Sequence, residues 1–313
     1  CNTVWSARTL VGLSGYFPSI IRTSNAFRLY YGSPMGGVWK LYLATSSLPT
    51  PTPIPPTPSP TPTNQPKHPI IIVPGLFGSW NKEAIVHEES VNQSDWKLNP
   101  MVKEYEGIEK TLQNLSYEKN KDYFIFAYDW RKNIENTASD LNTFITNLHL
   151  LNPPDIVGHS LGGLVGRIYA QKYPTTINKL VTVGSPHKGV AQVYKVLEAG
   201  EIETDNTSFW LTQQLILQLY RDGIKTNQQV LAEKLPVLFN LFPTIDFLKQ
   251  NNASIPVGNM KIKNNLLTQY LGSSDSLYSL IGGKGNTLSG YEVKNRTNLD
   301  KLLDTYPDGR PEK

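Results

Sequence analysis

Hydrophobic and polar positions divide the chain into three zones of different periodicity. Near the start, Phe27-Arg28-Leu29-Tyr30-Tyr31 and Val38-Trp39-Lys40-Leu41-Tyr42-Leu43 alternate or nearly so, which predicts two strands. Ser33-Pro34-Met35-Gly36-Gly37 supplies a glycine-rich turn between them. Two strands cannot bury a core unaided, so residues 1–47 read as the tail of a β-rich, sandwich-like domain. From 48 to 69 the pattern stops in a Pro/Thr tract, Pro49-Thr50-Pro51-Thr52-Pro53 and Pro55 to Pro62. Fixed φ angles and missing backbone donors make this an extended polyproline II linker.

From Ile70 the pattern changes again. Ile70-Ile71-Ile72-Val73, Phe124 to Tyr128, Asp155-Ile156-Val157, Lys179 to Val183 and Leu277 to Ile281 are short apolar runs of the kind found in strands buried on both faces. Helical patterns fall near 101–115, 136–151 and 161–173. The alternation predicts an α/β domain over 70–313, a mostly parallel sheet with helices on both faces. Residues 190 to about 275 are too long for a simple crossover. Phe209-Trp210-Leu211, Leu215 to Tyr220 and Leu235 to Phe242 predict a helical cap there.

Composition narrows the picture. The 313 residues are 39% hydrophobic and contain no run of eighteen apolar residues, so no transmembrane segment is expected. The net charge of +4 is spread along the chain, which argues against a nucleic-acid partner. The single cysteine, Cys1, allows no internal disulfide and no thiolate metal site, and no metal or cofactor is expected. A first residue other than Met reads either as a fragment cut from a longer chain or as the lipid-bearing cysteine of a mature lipoprotein. Pro/Thr spacers are commonest between modules of exported proteins, so the expected location is extracellular or at the cell surface. Sequons at Asn92, Asn114, Asn206, Asn252 and Asn295 are explained by the abundance of Asn, Ser and Thr.

The chemistry lies in Gly158-His159-Ser160-Leu161-Gly162, between the strand Asp155-Ile156-Val157 and a helix pattern. A serine alcohol is a poor nucleophile and must be held exposed to a base. A sharp strand-to-helix turn does this, and its crowding requires Gly158 and Gly162. The helix that follows turns its positive end toward the place where an oxyanion forms. Ser160 is therefore the predicted nucleophile. A second oxyanion donor is expected from the loop Pro74-Gly75-Leu76-Phe77-Gly78, which follows the strand Ile70 to Val73. The predicted donor pair is the N–H of Leu76 and of Leu161, with Phe77 the competing neighbour of Leu76. This is the layout of an α/β-hydrolase.

Four motifs in order, Val73-Pro74-Gly75-Leu76-Phe77-Gly78, Tyr128-Asp129-Trp130-Arg131, Gly158 to Gly163 and Gly184-Ser185-Pro186-His187-Lys188-Gly189, resemble the lecithin:cholesterol acyltransferase-like group of α/β-hydrolase lipases. The resemblance covers residues 70–190 and extends loosely to 277–310. It implies an esterase, phospholipase or O-acyltransferase acting on lipid or other ester substrates. It also implies that Trp130 lines the acyl pocket; Phe77 is the second residue assigned to substrate. Asp129 and Arg131 are expected to pair locally. His159 is expected to point away from Ser160, and His187 to end a strand without serving as base. At the position of the cap, lipases of this fold carry a lid. Either the cap opens in transient contact with a lipid surface, or it is packed permanently on the core.

The order Ser, then Asp or Glu, then His is not completed after Ser160. His187 follows too early, no Gly-Asp-Gly segment occurs in 190–313, and Asp275, Asp300 and Asp304 read as turn or helix-surface residues. The triad acid and histidine are expected beyond Lys313. The 313-residue chain is then expected to lack an activated nucleophile, and a fluorophosphonate probe to leave Ser160 unlabelled. The competing reading is an inert hydrolase fold serving as a surface binding or adhesion protein.

Overall fold

Five short apolar segments assemble into one wholly parallel sheet in the order Leu277–Leu280, Lys179–Val183, Asp155–His159, Ile70–Val73, Tyr123–Ile125. A computed structural model describes residues 16–22, 26–35, 38–47, 67–202, 207–270, 277–280 and 288–312. They belong to two compact units, Cys1–Pro66 and Lys67–Lys313. The tract 48–66, the Gly36-Gly37 turn, Asp275 and Ile281 lie outside the described residues.

In the first unit the two predicted strands form Ala26–Met35 and Val38–Ser47, paired antiparallel with Tyr30 opposite Leu43. A third strand, Tyr16–Arg22, adds to the other edge of Ala26–Met35.

In the second unit the domain is an α/β-hydrolase, as the alternation of strands and helices predicts. Continuous apolar runs form the central strands because both sheet faces are covered. Ile71, Ile72, Val73, Ile156 and Leu180 are buried. The helix Leu161–Lys172 is buried from Leu161 to Ala170, wedged between the sheet and the helix Ile134–Asn147. The chain reverses its direction of travel across the sheet at Ile70–Val73, whose neighbours are Asp155–His159 and Tyr123–Ile125. The carboxyl ends of such adjacent strands open a crevice where ligands bind in α/β folds.

The region 190–275 is helical at Val193–Ala199, Thr207–Tyr220, Asn227–Lys234 and Val237–Leu241. Its end differs from the predicted cap. Leu248–Gln250 and Ala253–Ile255 form a hairpin, and Leu248–Gln250 pairs in parallel with Tyr291–Lys294. Asn251 and Asn252 make the turn with φ of 51° and 64°, the left-handed region that Asn tolerates better than most residues. Among the described residues no helix is long and apolar enough to cross a membrane.

Candidate active site

Ser160 follows the strand Asp155–His159 directly and caps the helix Leu161–Lys172 with φ 51° and ψ −119°. A non-glycine residue in this region is strained by roughly 1–3 kcal/mol and persists only where its surroundings hold it. Here the Ser160 N–H donates to Val183 O at 2.9 Å, and the Gly163 N–H donates to Ser160 O at 3.0 Å. The flanking glycines are required by contact. A Cβ at Gly158 would lie 2.5 Å from Gly162 O, and one at Gly162 would lie 2.1 Å from Val73 O. The sharp turn, the first helical turn and the neighbouring strand thus touch backbone to backbone.

The loop after Val73 closes over this elbow through a tight turn in which Gly78 N–H donates to Gly75 O at 3.0 Å. Leu76 and Leu161 both face a cavity of about 240 Å³ that also exposes Ser160. Among the described residues the backbone N–H of Leu76 and that of Leu161 have no acceptor within the protein. The rest of the wall is largely apolar, with Val102, Val190, Val193, Phe209 and Leu241. The last four of these come from the cap side.

The structure thus brings together Ser160, Leu76 and Leu161. It does not bring Phe77 or Trp130 to them. Both are buried away from the cavity wall, packed edge to face with ring centroids 5.9 Å apart. The Trp130 indole N–H donates to Ser79 O at 2.8 Å, which satisfies its polar edge inside the core.

His159 also lines the cavity that exposes Ser160. Its Nδ1 lies 3.0 Å from the hydroxyl of Tyr105, a residue that the sequence patterns did not single out. Burial lowers the pKa of His159, with Glu104 opposing. His187 is held elsewhere. Its Nε2 lies 3.1 Å from Thr182 Oγ1, and its backbone oxygen accepts from Arg167 Nη1 at 3.2 Å. Burial, reinforced by the Arg167 charge, lowers its pKa to about 4. Among the described residues no side chain is hydrogen-bonded to Ser160 Oγ.

The carboxylates read as surface residues are engaged. Asp300 is buried, not on the helix surface: it closes a capping box with Thr297 and pairs with Arg310. Asp304 pairs with Lys261 and Arg296. Asp129 and Arg131 form the local pair that the sequence suggested. Among the described residues there is no cluster of three or more His, Cys, Asp or Glu able to hold a metal ion.

A strand-to-helix turn of this kind, at the crevice of this sheet, belongs to the α/β-hydrolase fold. The chain belongs to the palmitoyl protein thioesterase family, whose pattern it matches over residues 69–237, more than half its length. No curated protein matches it in sequence. Among solved structures it is similar to the Bacillus licheniformis lipase BlEst2 in mature form, with 16% identity and a TM-score of 0.31, over 56% of this chain and 66% of that one. The propeptide form of that lipase matches with 16% identity and a TM-score of 0.32, over 58% of this chain and 33% of that one. The chain therefore spans less than two thirds of either form. An extracellular α/β-hydrolase from a Paenibacillus species is also similar, with 13% identity and a TM-score of 0.29, over 71% of this chain and 91% of that one. Such remote likenesses concern the fold alone.

Proposed function

We propose that this protein is a serine hydrolase that cleaves carboxylic esters or thioesters of lipids through an acyl-enzyme on Ser160. The observation that carries the reading is the strained Ser160 turn beside two unpartnered N–H groups, Leu76 and Leu161. In this mechanism Ser160 Oγ attacks the carbonyl carbon, and the oxygen gains negative charge within reach of those donors. The leaving alcohol or thiol departs with a proton. Water, or an acceptor alcohol, then attacks the acyl-enzyme and frees Ser160. His159 and His187 are both engaged elsewhere, and neither is assigned the role of base.

The apolar wall supports an acyl chain as the group bound. The family's name points the same way, toward long acyl groups on thioesters. The motif order shared with lecithin:cholesterol acyltransferase-like lipases keeps O-acyl transfer alongside hydrolysis. The Pro/Thr tract at 48–69 supports a multi-module protein outside the cell or at its surface.

The test is labelling of the full-length protein with a fluorophosphonate probe, mapped by peptide sequencing. Labelling at Ser160, abolished in Ser160→Ala, supports the acyl-enzyme. Absence of labelling and of ester turnover, with ester-bearing vesicles still bound, would replace it with the inert binding protein. Product analysis with an added acceptor alcohol then separates hydrolysis from acyl transfer.

A further inference from the structure

Two loops must keep register for an oxyanion hole to work, and in this protein the backbone ladder that joins them ends just before the site. The ladder between Ile70–Val73 and Asp155–His159 ends with Val73 opposite Gly158. Past that point no backbone hydrogen bond joins residues 74–78 to residues 159–162 among the described residues. One side chain hydrogen-bonds to both segments. Tyr105, at the start of the helix Glu106–Asn114, is buried with its hydroxyl accepting from the Gly75 N–H at 2.8 Å. The same hydroxyl lies 3.0 Å from His159 Nδ1, and the two rings meet edge to face at 5.8 Å.

The Gly75 N–H can only donate, so the phenolic oxygen accepts there, while the direction of the Tyr105–His159 bond follows the imidazole tautomer. Burial pushes the Tyr105 phenol up to about 12 and lowers the pKa of His159, which favours the neutral form of each. Contact is close as well. A Cβ at Gly75 would fall 3.0 Å from Ser160 Cβ and 3.2 Å from His159 Nδ1. Gly75 precedes the proposed donor Leu76, and His159 precedes the proposed nucleophile.

We propose that the Tyr105 hydroxyl is a positioning group: it clamps the oxyanion loop to the nucleophile turn and thereby sets the distance between the Leu76 N–H and Ser160 Oγ. The proposal rests on the assignment of Ser160 and Leu76 made above. Tyr105 itself never touches the reacting atoms in this role. It acts through Gly75 on one side and His159 on the other.

The experiment uses the full-length protein with a soluble p-nitrophenyl ester, comparing wild type, Tyr105→Phe and Ser160→Ala. Each is measured for kcat, KM, thermal midpoint and affinity for a boronic acid, which forms a tetrahedral adduct on serine with an oxygen at the oxyanion position. Misplacement by a fraction of an ångström predicts that Tyr105→Phe lowers kcat about ten- to a hundred-fold and leaves KM unchanged. Boronic acid affinity falls by the same factor. A role in folding alone would lower the midpoint and leave kcat and boronic acid affinity at wild-type values, which overturns the clamp. Should Tyr105→Phe fail to fold, His159→Leu cuts the other arm and must lower kcat with KM unchanged; wild-type kinetics there also overturns the proposal. Activity surviving Ser160→Ala would overturn the nucleophile and the clamp together. Its loss, beside wild-type kinetics in Tyr105→Phe, would overturn the clamp alone.

Discussion

Asp129 grips Arg131 in a bidentate pair, Nε to Oδ1 and Nη2 to Oδ2, each at 2.8 Å. The same guanidinium donates to Tyr220 on the cap helix Thr207–Tyr220 at 3.1 Å, and the Arg131 backbone oxygen accepts from Val237 N–H at 3.1 Å. Arg131 therefore ties the cap to the core. Asp129→Asn leaves a mostly buried guanidinium without its counter-charge. Loss of a buried partner costs 3–5 kcal/mol at full burial, and partial exposure here reduces that to about 2 kcal/mol. Urea unfolding should show the drop as a lower midpoint with an unchanged slope; an unchanged midpoint would mean that the pair contributes nothing.

Gly162→Ala places a methyl 2.1 Å from Val73 O and 2.5 Å from Pro74 O. Both obstacles are backbone, so nothing can swing aside. The expected outcome is a loss of at least about 3 kcal/mol, seen as poor soluble yield or a sharply lowered thermal midpoint. A variant as stable as wild type would show that the elbow and the strand Ile70–Val73 are not in contact.

Glu198 is a buried carboxyl whose two oxygens have no hydrogen-bond partner. Burial, with the charge of Asp308 added, pushes its pKa up to about 8 despite Lys261 and Arg296. Between the ordinary carboxylate range and pH 8 the folded protein keeps a proton that the unfolded chain has lost. Stability from this group therefore falls as pH rises through that window. Glu198→Gln carries no such proton. Its thermal midpoint relative to wild type should rise between pH 5 and pH 9, reaching about 5 °C of advantage at the upper end. A difference that stays constant with pH would refute the buried neutral acid.

Trp210 and Leu211 stand partly exposed on the cap helix beside Phe209, which is buried against the cavity. If the cap opens at a lipid surface, aggregated esters are turned over faster than monomeric ones. Trp210→Ser should then lower the rate on aggregates several-fold and leave the monomeric rate alone. Equal rates of the wild-type protein on both forms would identify the cap as fixed.

Much of this was legible in the sequence for specific reasons. Ile70–Val73 is an uninterrupted apolar run because both faces of a parallel strand are covered. Ser160 announces itself because close contacts fix Gly158 and Gly162 in place around it. Tyr105 was invisible: it sits among Lys103, Glu104 and Glu106, and its partners lie 30 and 54 residues away. Trp130 misled because a large aromatic beside a motif reads as pocket, whereas its one polar atom finds Ser79 O inside the core. The hairpin of Leu248–Gln250 and Ala253–Ile255 escaped notice because three-residue strands leave too short an alternation to read.

The cavity has two kinds of wall. Gly75, Leu76, Ser160 and Leu161 stand on the carboxyl ends of two adjacent strands, whereas Val193, Phe209 and Leu241 belong to the helices laid over them. In the proposed reaction the hardware for bond cleavage is thus mounted on the sheet, and the gauge that measures the acyl group is a separate, replaceable part. Exchanging the segment between Val190 and Leu241 should retune which chains are accepted while the reacting groups keep their places.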